Sequence, residues 1–418
     1  MTMKIVFVQP NVGFKGHTWE ALGIGYVIAY LKKNYPTDLD IDFYSAFYDT
    51  DEQIIEAAKD ADIIGFGCTS PQYKHALSLA GRIKTPKNRI VFGGIHPTVL
   101  PERVLAEDCV DAIVVGEGEQ AMLQLLQDVV RGLDISHRSY QTNYMTEVDA
   151  LPFPDRRTIK NERNILQAYH DGGQRITSVM SSRGCPFRCS FCCSSNLWRH
   201  QTRYRSPANI LKEVDGLVKD WDLQFLKFAD DTFTVNKRQV IDFCKLKIER
   251  QIEVPYGANA HINTIDEEIL GYLAESGCQE LWYGVESGSP RILDEMHKST
   301  DIKKIKEVFR LTREHGIKTR AYFLLGTPSE TIEDIEMTEK LCDELQPDIV
   351  GFALLAPFPT NEYFNHGTMI DWDWSVFDEY ANDWVSTETI TNQELKEIQR
   401  RLVDKYQMVA TFRQKLKS

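Results

Sequence analysis

The sequence lacks any apolar run near the ~18 residues that a membrane span needs. Its longest apolar stretches, such as Ile24 to Leu31 and Phe352 to Phe358, have the length of core elements. Positive charge is also in short supply: 48 Lys+Arg against 61 Asp+Glu give a formal net charge of −13. Such a surface repels a phosphate backbone, which argues against nucleic-acid or anionic-membrane binding and leaves a small-molecule substrate as the expected partner. Nine cysteines in 418 residues are too few for a disulfide scaffold. The apolar stretch at Met1 to Gln9 is too short for a signal peptide and reads as a buried strand, so a cytoplasmic protein is expected. With 25 Gly and 16 Pro the chain is neither collagen-like nor disordered. At roughly 150 residues per domain, its length predicts two or three domains.

From Lys4 to about Asp128, short apolar runs alternate with helical patterns. Lys4 to Val8, Ile41 to Tyr44, Ile63 to Gly67, Ile90 to Gly93 and Ala112 to Val115 read as strands. Alternation of this kind predicts a doubly wound, Rossmann-like parallel sheet over residues 1–135. Three strands end in glycine, at Gly65-Phe66-Gly67, Gly93-Gly94 and Gly116-Glu117-Gly118. Glycine there allows either a close ligand approach or an ordinary tight turn, and the dinucleotide fingerprint Gly-x-Gly-x-x-Gly is absent. Residues 136–172 lose the periodicity and read as a linker. Residues 173–365 then give six strand-helix units, a partial (β/α)6 barrel of the TIM type, and 366–418 a short helical region with Gln393 to Lys415 amphipathic and Trp372, Trp374 and Trp384 at its start. Polar residues follow the barrel strands: Asp230-Asp231 the second, His261 the third, Glu286 the fourth and Gly326 the fifth. In a β/α barrel these positions surround one mouth.

Four of the nine cysteines fall between Cys185 and Cys193, directly after the first barrel strand. Cys185, Cys189 and Cys192 have the spacing C-x3-C-x2-C. A structural zinc site takes four ligands, and its usual second C-x2-C pair is missing, since Cys244, Cys278 and Cys342 stand alone. Three thiolates on an iron-sulfur cube leave one iron open, which is what a cofactor-activating cluster requires. Cys193 has the chemistry of a fourth ligand, but adjacent cysteines rarely face one cluster, and it is read as a bystander.

The stretch from about Ile176 to Phe364 resembles the radical S-adenosylmethionine (SAM) superfamily, whose C-x3-C-x-aromatic-C signature is met with Phe191 as the aromatic. The resemblance implies a [4Fe-4S] cluster on Cys185, Cys189 and Cys192 whose open iron binds SAM and cleaves it to a 5′-deoxyadenosyl radical. It places Phe191 against the adenine, Asp230 and Asp231 at the methionyl amine, Glu286 at the ribose hydroxyls and Gly326 beside the adenine. Asp231, Glu286 and Gly326 also fit plain caps and turns. His261 either holds SAM, touches substrate or packs. Pro357-Phe358-Pro359-Thr360 departs from the Pro-x-Pro-Gly-Thr common in relatives.

The first ~130 residues resemble the cobalamin (B12)-binding domain that precedes the barrel in one large subgroup. Leu22-Gly23-Ile24-Gly25-Tyr26, Gly93-Gly94-Ile95-His96-Pro97-Thr98 and Gly116-Glu117-Gly118-Glu119 carry this resemblance. It implies cobalamin contacts at Gly23, Gly93, Gly94, His96, Pro97, Thr98, Gly116, Glu117, Gly118 and Glu119. The D-x-H-x-x-G motif that gives cobalt a histidine is absent, and His96 is read as a loop brace. Only Cys68 and Cys109 precede the linker, one too few for the second cluster of methylthiotransferases. The resemblance therefore implies a radical SAM methyltransferase that uses cobalamin on an unactivated carbon of a natural-product or cell-envelope molecule, fed by an electron donor such as flavodoxin or ferredoxin. Rearrangement, dehydration or ring formation without methyl transfer is the alternative, and a B12-responsive binding protein a further one.

Overall fold

The computed structural model describes residues 2–12, 20–365, 369, 373–376 and 382–406. Two compact units emerge, one from the described residues of Met1–Gln167 and Asn365–Val376, the other from those of Ala168–Phe364 and Phe377–Ser418. The first is built on a sheet of β1 (Lys4–Gln9), β2 (Asp40–Ser45), β3 (Ile63–Gly67), β4 (Arg89–Gly93), β5 (Ala112–Val115) and β6 (Arg138–Gln141) in the order β2-β1-β3-β4-β5-β6. All of its pairings are parallel. Strand side chains alternate between faces, so Val6, Val8, Ile64, Phe66, Ile90 and Phe92 fill one core while Ile5, Phe7, Ile63, Val91 and Val114 fill the other. Helices Leu22–Asn34 and Gly118–Val130 cover the second face, and Asp51–Ala58 and Tyr73–Ile83 the first. Each such buried side chain is worth roughly 1.5–3 kcal/mol, which is why both faces must be roofed.

The sixth strand corrects the sequence reading, which gave five strands and left 136–172 as linker. Arg138–Gln141 pairs with β5 from Ala112↔Arg138 to Val115↔Gln141. As the sheet's edge it buries only Tyr140, so its sequence carries no apolar run to announce it. The linker also contains the helix Glu162–Gly172.

The second unit holds β7 (Ile176–Val179), a two-residue pair β8 (Ser182–Arg183) and β9 (Arg203–Tyr204), then β10 (Phe225–Phe228), β11 (Tyr256–Ala260), β12 (Cys278–Glu286), β13 (Lys318–Leu325) and β14 (Ile349–Leu354). Its main sheet runs β14-β13-β12-β11-β10-β7, all parallel and each strand beside its predecessor in the barrel series, so the six-stranded partial barrel is present. The return helices begin on side-chain caps: Ser206, Asn236, Asp266, Asp301 and Thr331 each accept from the backbone three residues on. Such caps contribute about 1 kcal/mol each and fix where every helix starts. The C-terminal helix is Asn392–Lys405 with Tyr406 at its C-cap; residues 407–415 of the expected helix and Trp372 lie outside the described residues. Trp374 is buried, and Trp384 is exposed. No helix among the described residues is long and apolar enough to cross a membrane.

Beyond β14, Thr360 adopts φ +82°. A β-branched residue is strained there, and its Oγ1 is buried without a hydrogen-bond partner. Thr360→Gly is therefore expected to raise stability by about 1 kcal/mol. A urea midpoint unchanged or lowered in that variant would show that Thr360 carries no strain.

Candidate functional site

The cysteine loop starts where β7 ends and is held by a buried carboxylate. Asp230, two residues past β10, is 2% exposed and accepts from Ser181 N at 3.1 Å, Ser181 Oγ at 2.8 Å and Ser182 Oγ at 2.5 Å. Its own carbonyl accepts from Asn259 Nδ2 of β11 at 3.0 Å. Burial raises the pKa of this carboxyl, and the serine donors oppose that rise. Asp230 thus clamps the chain entering the loop, with its oxygens spent inward. Asp231 differs: it is exposed and accepts from Ser194 Oγ at 2.7 Å. Gly184 has φ +101°, and a Cβ there would lie 2.1 Å from the Gln201 carbonyl, so only glycine lets the chain turn into Cys185.

Cys185, Cys189 and Cys192 are in no disulfide and all have intermediate exposure. Cys185 Sγ lies 3.7 Å from Thr232 Oγ1. Burial pushes the Cys189 thiol up to about 11 against the pull of Lys298, so without metal it keeps its proton, and loading a cluster must displace it. Among the described residues no three His, Cys, Asp or Glu side chains close on one ion position. A cube asks something else, one iron for each thiolate, and a trio of soft donors on one loop suits it. Cys193 points elsewhere, donating to the Pro359 carbonyl at 3.2 Å.

Two further strand ends meet this loop. At β12 the register shifts between Gly284 and Glu286, and Glu286 takes φ +69°. Such a bulge re-aims a side chain, at a strain cost typical of functional positions. Glu286, 8% exposed, receives Lys298 Nζ on Oε1 at 2.9 Å. A Cβ at Gly284 would fall 2.2 Å from that oxygen and 3.0 Å from Nζ, so the glycine makes room for the pair. Lys298 also lies 5.9 Å from the Phe191 ring centroid. Nothing in the sequence drew attention to it; a lysine in His297-Lys298-Ser299-Thr300 reads as surface, and only burial reveals it.

His261, at the end of β11, stacks on Phe187 of the cysteine loop at 3.8 Å between centroids and 13° between planes. Its Nδ1 accepts from Asn263 N at 3.2 Å, so the neutral ring carries its proton on Nε2, which is buried without a partner. Burial, aided by Lys298, holds its pKa down at about 3. An orphaned donor beside the loop fits a polar cofactor seated among these strand ends.

Gly326 behaves otherwise. It follows β13 at φ +95°, but a Cβ there would strike Val385 Cγ1 at 2.6 Å, so its surroundings are already filled by the C-terminal segment. Its N–H donates to Glu330 Oε2 at 2.5 Å. Glu330 is fully buried, and burial pushes its carboxyl up to about 8 while the Gly326 and Thr327 amides pull it down.

The first unit gathers its glycine-rich loops at the ends of β3, β4 and β5. Gly94 has φ +97° and packs on Cys68, where a Cβ would meet the carbonyl at 2.8 Å. Thr98 Oγ1 donates to Gly94 O at 2.7 Å and accepts from Gly116 N at 2.9 Å, tying two strand ends together. Glu117 accepts from Met145 N at 3.0 Å, and Gly118 packs within 2.9 Å of Val27 by its missing Cβ. Gly93 ends β4; Pro97 and Glu119 are buried; Gly23 opens on empty space. His96, 1% exposed, pairs Nδ1 with Ser70 Oγ at 2.9 Å and lies 4.0 Å from the Tyr73 ring, while its Nε2 is buried without a partner. Burial lowers its pKa to about 3. It braces the loop and keeps one polar atom for a ligand, which suits a polar cofactor over these strand ends. A separate cleft of about 630 Å³ opens past β1, β2 and β3, among Asn11, Tyr48, Asp51, His75 and Ser375, and none of the residues read as cobalamin contacts line it.

The raised Glu330 carboxyl has a definite pH signature. Unfolded, it ionises in the ordinary range near 4.5; folded, it holds its proton to about 8, so wild-type stability falls as pH rises between these limits. Glu330→Gln, neutral throughout, is expected to gain on wild type over that window and level off above it. Equal pH slopes for the two proteins in urea unfolding would rule out the buried neutral acid.

Two family models match the chain: the B12 binding domain over residues 11–126 and the radical SAM superfamily over residues 179–342. The anaerobic magnesium-protoporphyrin IX monomethyl ester cyclase of Rubrivivax gelatinosus is 31% identical, covering 87% of this chain and 69% of that protein. An uncharacterized methyltransferase of Pyrococcus horikoshii is 28% identical, covering 85% and 81%. Among solved structures, TsrM of Kitasatospora setae with cobalamin and a [4Fe-4S] cluster bound superposes with a TM-score of 0.72 at 17% identity, over 87% of this chain and 74% of that one, a likeness of fold. With the cysteine loop, the parallel six-stranded barrel and these matches together, the chain belongs to the radical SAM superfamily, in the group that carries a B12-binding domain ahead of the radical SAM domain.

Proposed function

We propose that this enzyme transfers a methyl group to an unactivated carbon of a small natural-product or cell-envelope molecule. The observation that carries the reading is the presence in one chain of a three-thiol loop and a B12-binding domain whose strand-end loops keep an unpartnered buried polar atom, His96 Nε2. When bound, the [4Fe-4S] cluster with SAM supplies a 5′-deoxyadenosyl radical, and cobalamin supplies a methyl group. Residues 1–135 serve as the cobalamin module and 173–365 as the radical module.

In this reading Cys185, Cys189 and Cys192 hold the cluster, and Asp230 fixes the loop that carries them. Phe191, Asp231, His261 and Glu286 surround SAM, with the His261 Nε2–H as a neutral donor and Glu286 oriented by Lys298. Gly326 supports this wall through Glu330 and Val385. Gly23, Gly93, Gly94, His96, Pro97, Thr98, Gly116, Glu117, Gly118 and Glu119 form the cobalamin side. A small electron carrier such as flavodoxin or ferredoxin supplies the electron, which suits a cytoplasmic setting, and nucleic acid plays no part. Ring formation is the second reading, favoured by one observation: the Rubrivivax relative at 31% identity is named a cyclase.

Products separate the two. Methylation yields S-adenosylhomocysteine and 5′-deoxyadenosine together, with near-stoichiometric cobalt after reconstitution with hydroxocobalamin. Deoxyadenosine alone, from protein that takes up no cobalt, would overturn methyl transfer in favour of rearrangement or ring formation. Alanine at Cys185, Cys189 or Cys192 is expected to abolish SAM cleavage, whereas Cys193→Ala keeps a full complement of iron; iron loss in the latter would make Cys193 a ligand.

A further inference from the structure

We propose that Lys298 is a positioning residue of the cysteine centre: its buried ammonium, anchored by Glu286, offsets the negative charge that Cys189 and Cys192 carry when the centre is loaded. Lys298 is only 6% exposed, so its charge is scarcely screened by water. Among the described residues the ammonium's one hydrogen-bond partner is Glu286 Oε1 at 2.9 Å, which leaves two of its three protons unspent. The face of Phe191, the residue before Cys192, lies 5.9 Å away. Gly284 provides the space in which the pair sits, since a Cβ would come within 3.0 Å of Nζ.

A buried ion pair by itself contributes little to stability, because desolvation consumes the attraction. Its orientation is the informative part. The Met296 carbonyl, two residues before Lys298, accepts from Ser190 N at 3.1 Å, and the ammonium lies on the Phe191 side, so the positive end faces the segment between Cys189 and Cys192. The potential of an iron-sulfur cluster depends on net charge and burial around it. A fixed cation beside the loop segment that carries two of the three cysteines favours the reduced state, and reduction is the step that SAM cleavage needs. The inference depends on the cluster assignment and not on which group is finally transferred, so it survives failure of the methyl-transfer reading.

The test is the midpoint potential of the anaerobically reconstituted full chain without SAM, read by mediated redox titration with electron paramagnetic resonance. Lys298→Met is expected to shift the potential downward and Lys298→Arg to leave it near wild type. Glu286→Gln removes the compensating charge and is expected to shift it upward. Lys219→Met, at an exposed lysine paired with Asp215, serves as the control and is expected to leave the potential unchanged. Opposite signs for Lys298→Met and Glu286→Gln support the proposal, because damage to packing alone would not produce them. Shifts of the same sign, or no shift beyond the control, overturn it. If Lys298→Met fails to load a cluster, Glu286→Gln still decides: an unchanged or lowered potential overturns the proposal. Weaker binding of S-adenosylhomocysteine with an unmoved potential would also overturn it and assign Lys298 to SAM instead.

Discussion

Parallel pairing constrains everything else in this protein. A parallel strand cannot return through a tight turn, so the chain must cross back over a face of the sheet, and in both units it does so mostly by helices. The consequence is that all strand ends of one sense lie along one edge. Loops leaving β7, β10, β11 and β12 are brought together although their residues are spread from Cys185 to Glu286. The chemistry of the second unit is a product of that convergence. In the first unit the same rule knits the ends of β3, β4 and β5 through Cys68, Gly94, Thr98 and Gly116.

Buried polar groups then set the fine geometry. Asp230 spends its oxygens on Ser181 and Ser182, so it orients the cysteine loop without reaching outward. Glu286 and Lys298 neutralise each other in a space that only Gly284 leaves open. Glu330 remains protonated by burial and braces Gly326. Each of these groups would be costly if left unpaired, and Asp230 and Glu286 lie at strand ends. His261 and His96 are the complementary case. Burial keeps both rings neutral, and each retains one nitrogen without a partner.

The two units divide the chemistry that the family membership implies. Radical generation belongs to the barrel, where three thiols of intermediate exposure share one loop with Phe187 and Phe191. Cobalamin belongs to the doubly wound sheet, where the glycines mostly serve close packing between loops: Gly94 rests on Cys68 and Gly118 on Val27. The similarity to a named methyltransferase and to a named cyclase indicates a scaffold on which the product is decided by residues other than the shared cofactor ligands.

The sequence alone determined the two α/β units and most strand positions, and it singled out the cysteine trio, because these rest on local pattern: apolar runs closed by glycine, helical caps and a fixed cysteine spacing. It missed β6, since an edge strand with one buried side chain, Tyr140, carries no such pattern. It read Asp230 as a SAM contact, whereas the structure turns that carboxylate inward to Ser181 and Ser182. Gly326 was placed by motif beside the adenine, yet Val385, nearly sixty residues later, packs against it. Lys298 was invisible for the same reason, because a lysine looks solvated until its neighbours are known. Spacing along the chain fixes what one turn or loop can do; which carboxylate is spent, which glycine is filled and which lysine is buried depend on residues far apart in sequence. Only tertiary packing, by excluding water from particular atoms, decided those.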